Sequence, residues 1–196
     1  RVIAVGEGVT EFKLGDNVAC AGAGYANHAE IVCVPVNLCV QLSEQANLKH
    51  AAYNTLGAIS MQGVRQADLR VGETCVVIGL GLLGQLACML LKASGVNVIG
   101  VDVADSSVEL AIDNKIVDEA YVRDAPGVEE KIQLATAGIG ADAVIIAAAT
   151  NSLDPINFAG AISRKKGVVV VLGAVPTGFE RDPHWYRKEL ALKMSC

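Results

Sequence analysis

The chain has 196 residues, 52% of them hydrophobic and 19% charged, with a net charge of −5 and a pI near 5.2. That length fits one large domain, or one domain with part of a second, and a sizeable core is easily filled. The acidic balance, with Arg164-Lys165-Lys166 as the longest basic run, argues against nucleic acid or an anionic membrane as partner, and apolar runs such as Gly167 to Val175 fall short of the ~20 residues of a membrane helix. The opening residues lack the pattern of a cleavable signal, so the expected location is the cytoplasm. Arg1-Val2-Ile3-Ala4-Val5-Gly6 reads as the middle of a strand, which suggests a piece of a longer protein. With only 4% aromatics, the core must come from Val, Ile, Leu and Ala, as in a parallel sheet covered by helices.

Residues 1 to about 40 read as β-rich. Val2 to Val5, Val18 to Cys20, Ala29 to Val34 and Leu38 to Leu42 are short apolar runs broken by Gly, Asn, Asp and Pro. The period changes over 47–66, where Leu48, Ala51, Ala52, Leu56, Ile59, Ser60 and Gly63 recur at helical spacing, predicting one buried helix or two short ones. Gly57 and Gly63 inside that pattern imply a break or close backbone packing. From residue 73 strands and helices alternate. Thr74 to Ile78, Val98 to Val101, Ala120 to Val122, Ala141 to Ala149 and Gly167 to Val175 read as strands. Leu82 to Ser94, Ser106 to Asn114, Gly127 to Thr136 and about Leu153 to Ser163 read as helices. Gly95 is expected to terminate the first of these helices, and Ser106 with Glu109 to cap the second. Such alternation predicts a doubly wound parallel α/β sheet, the Rossmann architecture, over residues 47–196, with 47–72 as a connecting helical segment.

Gly79-Leu80-Gly81-Leu82-Leu83-Gly84 leaves the Thr74 strand and opens the Leu82 helix. Gly79 allows the tight turn, Gly81 lets backbone approach a pyrophosphate, and Gly84 lets the helix pack closely. Asp102 ends the next strand, 18 residues after Gly84, near the spacing at which a carboxylate meets the ribose hydroxyls. No Arg or Lys follows in Val103-Ala104-Asp105 to accept a 2′-phosphate, so NAD is expected in preference to NADP. No Gly-x-Ser-x-Gly elbow, Walker loop or His-Glu-x-x-His motif is present.

Val2 to Val18, the glycine loop with Asp102, Gly140-Ala141-Asp142-Ala143-Val144-Ile145-Ile146 and Lys188-Glu189-Leu190-Ala191-Leu192 are similar, in order, to landmarks of the medium-chain dehydrogenase/reductases. Ala21 to Glu30 and Leu56-Gly57-Ala58-Ile59 most resemble bacterial zinc-binding dehydrogenases, many of which continue into a glucose–fructose oxidoreductase-like domain. The resemblance implies a partial GroES-like β-barrel segment over 1–46, joined to the Rossmann domain, and an NAD(H)-dependent alcohol or polyol dehydrogenase. It implies cofactor contacts at Leu80, Leu82, Leu83, Val103, Ala147, Gly173 and Ala174 beside the three loop glycines and Asp102. It also implies a homodimer through an edge strand at Ala191–Ser195. The family's late cysteine ligand falls at Asn54, a poor zinc ligand, and its lobe of four cysteines is missing, so no zinc is expected.

Asn54, Thr55 and His28 are weak catalytic candidates, and His184, in a Pro-bounded loop with Trp185 and Tyr186, is a candidate lid or interface residue. His50 reads as structural. The six cysteines form no Cys-x-x-Cys pair and read as reduced, mostly core residues; Cys33 and Cys39 could meet on adjacent strands, but their placement reads as chance. Three alternatives stay open. They are an NADPH-dependent quinone or enoyl reductase of the same superfamily, a non-catalytic NAD-binding module and, more remotely, an S-adenosylmethionine-dependent methyltransferase.

Overall fold

A computed structural model describes residues 1–195. The chain divides into two compact units, Arg1–Leu56 and a larger one beginning at Gly57. The boundary lies ten residues later than the sequence suggests, inside a helix.

The first unit holds an antiparallel pair, β1 (Val18–Cys20) and β2 (Cys39–Gln41), and a short helix α1 (Leu48–Ala51). Asn47 caps α1, its side-chain oxygen accepting from the Lys49 and His50 backbone N–H groups, while the His50 residue is exposed. The strands expected at Val2–Val5 and Ala29–Val34 do not form. A strand persists only where a neighbour takes its backbone groups. Val2 pairs briefly with Gly15 and Asp16, while Ala29–Val34 finds no second strand among the described residues. A two-stranded ladder is not a barrel, and β1 and β2 do not show the GroES-like segment expected over 1–46.

α2 (Asn54–Ala67) follows, so the 47–66 pattern resolves into two helices. Gly63 on α2 is a close-packing position, since a Cβ there would sit 3.2 Å from Leu172. Gly57 faces open space.

The second unit is built from β3 (Thr74–Ile78), α3 (Leu82–Ala93), β4 (Asn97–Asp102), α4 (Asp105–Asp113), β5 (Glu119–Val122), α5 (Val128–Ala135), β6 (Ala141–Ile146), α6 (Asp154–Ile162), β7 (Ser163–Val171), α7 (Tyr186–Lys188) and β8 (Ala191–Met194). The strands form one parallel six-stranded sheet in the order β5-β4-β3-β6-β7-β8. This is the doubly wound order, reversing direction of growth between β3 and β6.

The central strands are buried on both faces, which explains their unbroken apolar runs. Alternate residues serve opposite cores: Val77, Ile145 and Val98 pack with Leu91 and Cys88 of α3 on one side, and Val76, Ile78, Val144 and Ile146 pack with Ile156 and Ile162 of α6 on the other. Each such side chain contributes about 1.5–3 kcal/mol by leaving water.

Several boundaries differ from the sequence reading for local reasons. Gly95, at φ +76°, follows the Ser94 cap of α3, as expected of a left-handed terminator. The Ser106–Glu109 capping box is absent, because α4 starts at Asp105 with Ala104 as its cap and Ser106 lies within the helix. β7 starts at Ser163 rather than Gly167 and stops at Val171, because Leu172 and Gly173 both donate to the Ile146 carbonyl and turn the chain. No helix among the described residues is long and apolar enough to cross a membrane.

Candidate functional site: a dinucleotide crevice at the sheet switch point

The candidate site lies at the carboxyl ends of β4, β3, β6 and β7, where the sheet order reverses and a doubly wound sheet leaves room for a ligand. Its floor is a row of backbone contacts that explains two of the three loop glycines. Gly79 has φ +94°, and a Cβ there would lie 2.7 Å from the Ala148 nitrogen. At Gly84 a Cβ would lie 1.8 Å from the Gly79 carbonyl oxygen. Gly173 continues the row, since its Cβ would lie 2.1 Å from the Ala148 oxygen. These glycines are demanded by the protein itself.

Gly81 is different. Its φ is −69°, a value open to any residue, and nothing lies within 4 Å of its would-be Cβ. Packing and backbone conformation do not demand a glycine there, although glycine is a better N-cap than most side chains. Open space over that residue is what a ligand pressed against the backbone requires. Gly81 also caps α3 without any side-chain hydrogen bond, so the first-turn N–H groups of the helix remain available for an anion.

Asp102 points into the loop. Its Oδ2 accepts from the Leu80 N–H at 2.6 Å and its Oδ1 from the Ala104 N–H at 2.9 Å. Both oxygens keep a second acceptor direction, so the carboxylate is fixed in place yet able to take ribose hydroxyls. Val103 beside it is 72% exposed, an apolar side chain left uncovered next to the crevice.

The other expected contacts divide. Ala147 lies 3.5 Å from the would-be Gly84 Cβ and donates its N–H to the Ile78 carbonyl, placing it on the crevice floor. The Ala174 carbonyl accepts from the Thr150 N–H, tying the loops after β7 and β6 together. Leu82 is half exposed at the start of α3, and Leu83 packs against the core. The Leu80 side chain is wholly buried against Gly100, so only its backbone belongs to the site.

Two residues that touch the loop are not among the site residues the sequence suggests. Gln85 Nε2 donates to the Leu80 carbonyl at 2.9 Å, bracing the loop from the first turn of α3. The buried Ser60 hydroxyl donates to the Leu83 carbonyl at 3.0 Å. A polar residue in the first turn of an apolar helix is the available signal for Gln85.

The weak catalytic candidates all belong to the first unit. Asn54 is exposed at the start of α2, the Thr55 hydroxyl donates to the Cys20 carbonyl at 3.4 Å, and His28 lies in an exposed bend. His184 is not beside the glycine loop. It sits in a distorted turn, Arg181–Trp185, against Gly160 of α6, and lines a cavity of about 300 Å³ with Arg123, Asp154, Asn157 and Glu180.

No group of three or more His, Cys, Asp or Glu side chains converges among the described residues. A zinc ion takes four ligands, three of them from the protein at a catalytic site. The described residues therefore do not by themselves fit that metal.

The family model described as "Zinc-binding dehydrogenase" matches residues 83–195, more than half of the chain. D-guloside 3-dehydrogenase of Escherichia coli is 37% identical over 103 residues, which are 52% of this chain and 29% of that protein. The alcohol dehydrogenase of Geobacillus stearothermophilus is 25% identical over a match covering 88% of this chain and 58% of its own. The chain thus spans less than two thirds of the length of these relatives. Among solved structures, an alcohol dehydrogenase from Thermus superposes with a TM-score of 0.82 at 21% identity, covering 98% of this chain and 65% of that one. A zinc-binding dehydrogenase from Sinorhizobium meliloti, solved bound to NADP, superposes at 0.72 with 22% identity, covering 83% and 48%. The chain belongs to the zinc-binding dehydrogenases, within the medium-chain dehydrogenase/reductase superfamily of oxidoreductases.

Proposed function

We propose that this chain is the NAD(H)-binding portion of an oxidoreductase acting on an alcohol or carbonyl carbon of a polyol or sugar derivative. The observation that carries the reading is the open space over Gly81, at a helix N-terminus with no side-chain cap, in a loop whose other glycines are forced by packing.

The first-turn N–H groups of α3 would hold the diphosphate, and the carboxylate of Asp102 the adenosine ribose. Gly173 and Ala174, joined to the loop after β6, would border the nicotinamide. When bound, NAD accepts or donates hydride at C4 of that ring. The chain's own residues bind and orient it, and no step of this reading runs through a metal.

NAD is favoured over NADP by charge. A 2′-phosphate would meet the Asp102 carboxylate directly. Arg123, whose N–H donates to the Asp102 carbonyl from the neighbouring strand tip, is the nearby cation, but its guanidinium is committed elsewhere. It holds Asp154 through two bonds of 2.9 and 2.6 Å and lies 4.0 Å over the Phe158 ring. The NADP-bound relative keeps the reductase reading in view. The relative acting on D-guloside supports the sugar class.

Calorimetric titration of the chain with NAD and NADP tests the proposal, followed by the absorbance of reduced nicotinamide with a panel of polyols and glycosides. Tighter binding of NAD is expected. At least tenfold tighter NADP binding would replace it with the reductase reading, and NAD binding without turnover by the longer protein would favour a non-catalytic module.

A homodimer through β8 is part of the same proposal. Ser195 donates its N–H to Val171, so by strand alternation the backbone groups of Leu192 and Met194 point off the sheet edge. Met194→Pro removes one outward N–H while sparing the bonds to β7. Sedimentation should show the dimer of the parent lost in this variant; an unchanged sedimentation coefficient would exclude pairing through this edge.

A further inference from the structure

In the first unit β1 and β2 set Cys20 directly opposite Cys39. The Ala21 N–H donates to Leu38 and the Leu42 N–H to Asn17, at 2.8 and 2.9 Å. Those pairs occupy hydrogen-bonded positions of the ladder. By alternation, Cys20 and Cys39 occupy a non-hydrogen-bonded position, where facing Cα atoms approach to about 4.5 Å. That separation lies inside the range a disulfide spans, roughly 4.4–6.8 Å. The two thiols already lie 3.7 Å apart, sulfur to sulfur.

The other thiols among the described residues are placed differently. Cys33 is exposed and has no cysteine opposite it. Cys75 and Cys88 are buried in the sheet core, where burial pushes the Cys88 thiol up to about 12 and Cys75 upward as well. Cys20 and Cys39 are half-buried, reachable by solvent yet held together by the ladder.

We propose that Cys20 and Cys39 are a redox-active dithiol, a modification site that closes as a cross-strand disulfide when met by a small-molecule disulfide such as oxidised glutathione. One cysteine thiolate attacks a glutathione sulfur, breaking the glutathione S–S bond and releasing one glutathione. The second cysteine attacks the protein sulfur of the mixed disulfide and releases the other. The protein loses two electrons and two thiol protons, and one glutathione disulfide becomes two glutathiones. Closure ties both ends of the 21–38 loop, which carries Tyr25 and His28. Burial and the neighbouring Cys20 raise the Cys39 thiol, so closure quickens as pH rises, about tenfold per unit while that thiol is the attacker.

The test equilibrates the full chain, carrying Cys33→Ser and Cys196→Ser to leave Cys75 and Cys88 as the other thiols, in glutathione buffers from reduced to oxidised, then alkylates and weighs it. Expected is a species lighter by two hydrogens that resists alkylation at two sites. After cleavage at Glu30, the segments holding Cys20 and Cys39 should remain joined until dithiothreitol is added. Cys20→Ser and Cys39→Ser in the same background should each give only a glutathione adduct or a free thiol. If Cys20 and Cys39 stay alkylatable, or each takes a separate glutathione, at the oxidised end of the series, the proposal is overturned. Persistence of the joined segments in either serine variant would overturn it equally.

Discussion

Gly81→Ala is expected to leave the fold intact and to weaken NAD binding by about 10- to 100-fold. Two stability effects oppose each other. Alanine is a poorer N-cap than glycine by about 0.5–1 kcal/mol, while the stiffer unfolded chain returns about 0.4–1 kcal/mol. At φ −69° with nothing within 4 Å of the new methyl, no steric penalty is added. The net change in stability stays within about 1 kcal/mol, a few degrees in Tm. A methyl in that space holds a diphosphate off the helix N-terminus, and each charge-assisted hydrogen bond lost there costs about 1.5–3 kcal/mol. Gly84→Ala is the counterpart. Its methyl would fall 1.8 Å from the Gly79 oxygen, a backbone atom that cannot step aside, and a loss of about 3 kcal/mol or more in stability is expected. Thermal unfolding and calorimetry on the two variants separate the roles. A folded Gly81→Ala protein with unchanged NAD affinity would remove the case for a dinucleotide in this crevice.

The contrast between Gly81 and Gly84 also shows what the sequence can and cannot disclose. The spacing of the three glycines, the β-branched run before them and the apolar helix after them place the loop correctly, because a strand buried on both faces leaves an unmistakable run of Val and Ile. The spacing does not say which glycine serves packing and which serves a ligand. At Gly84 that distinction depends on the Gly79 carbonyl within the folded loop, and at Gly79 on the backbone of Ala148, which is distant in the chain and also crowds Gly173. Leu80 is similar: a motif position by sequence, a core side chain in the fold, with only its N–H and carbonyl engaged by Asp102 and Gln85.

Local signals fail where a nonlocal partner decides. Val2–Val5 and Ala29–Val34 have strand-like composition, yet no neighbouring strand takes their hydrogen bonds among the described residues. Ser106 and Glu109 have capping-box spacing, but α4 begins one residue earlier, and a serine inside the helix cannot cap it. Nearness in sequence matches Cys39 with Cys33, whereas the ladder register pairs it with Cys20. Register follows from the whole 21–38 connection, which carries no hairpin signature of two residues. Cys196 lies outside the described residues.

Asp102→Ala should lower NAD affinity at least tenfold, with NADP affinity falling far less or rising, so that the preference between them narrows by at least tenfold. For NAD the change removes the acceptor of two ribose hydroxyls, worth about 1.5–3 kcal/mol for each bond to a charged group. For NADP the same loss is offset by the removal of a carboxylate that repels the 2′-phosphate at close range. Asp102→Asn is the sharper reagent because it keeps the shape. Its amide has one acceptor oxygen where the carboxylate has two, so the NH₂ group must confront either the Leu80 or the Ala104 N–H. Each N–H left without an acceptor costs about 1–3 kcal/mol, so both variants are expected to be less stable than the parent, and the Leu80 amide to exchange faster in Asp102→Ala, where no side-chain acceptor remains for it. Arg123 should not rescue NADP binding in either variant while Asp154 and Phe158 hold its guanidinium; adding Asp154→Asn is expected to raise NADP affinity further only if the freed side chain reaches the crevice. Calorimetry with both dinucleotides on the parent and on these variants reads these effects directly. An NAD-to-NADP preference that stays constant through Asp102→Ala would show that this carboxylate braces the loop and takes no part in choosing the cofactor.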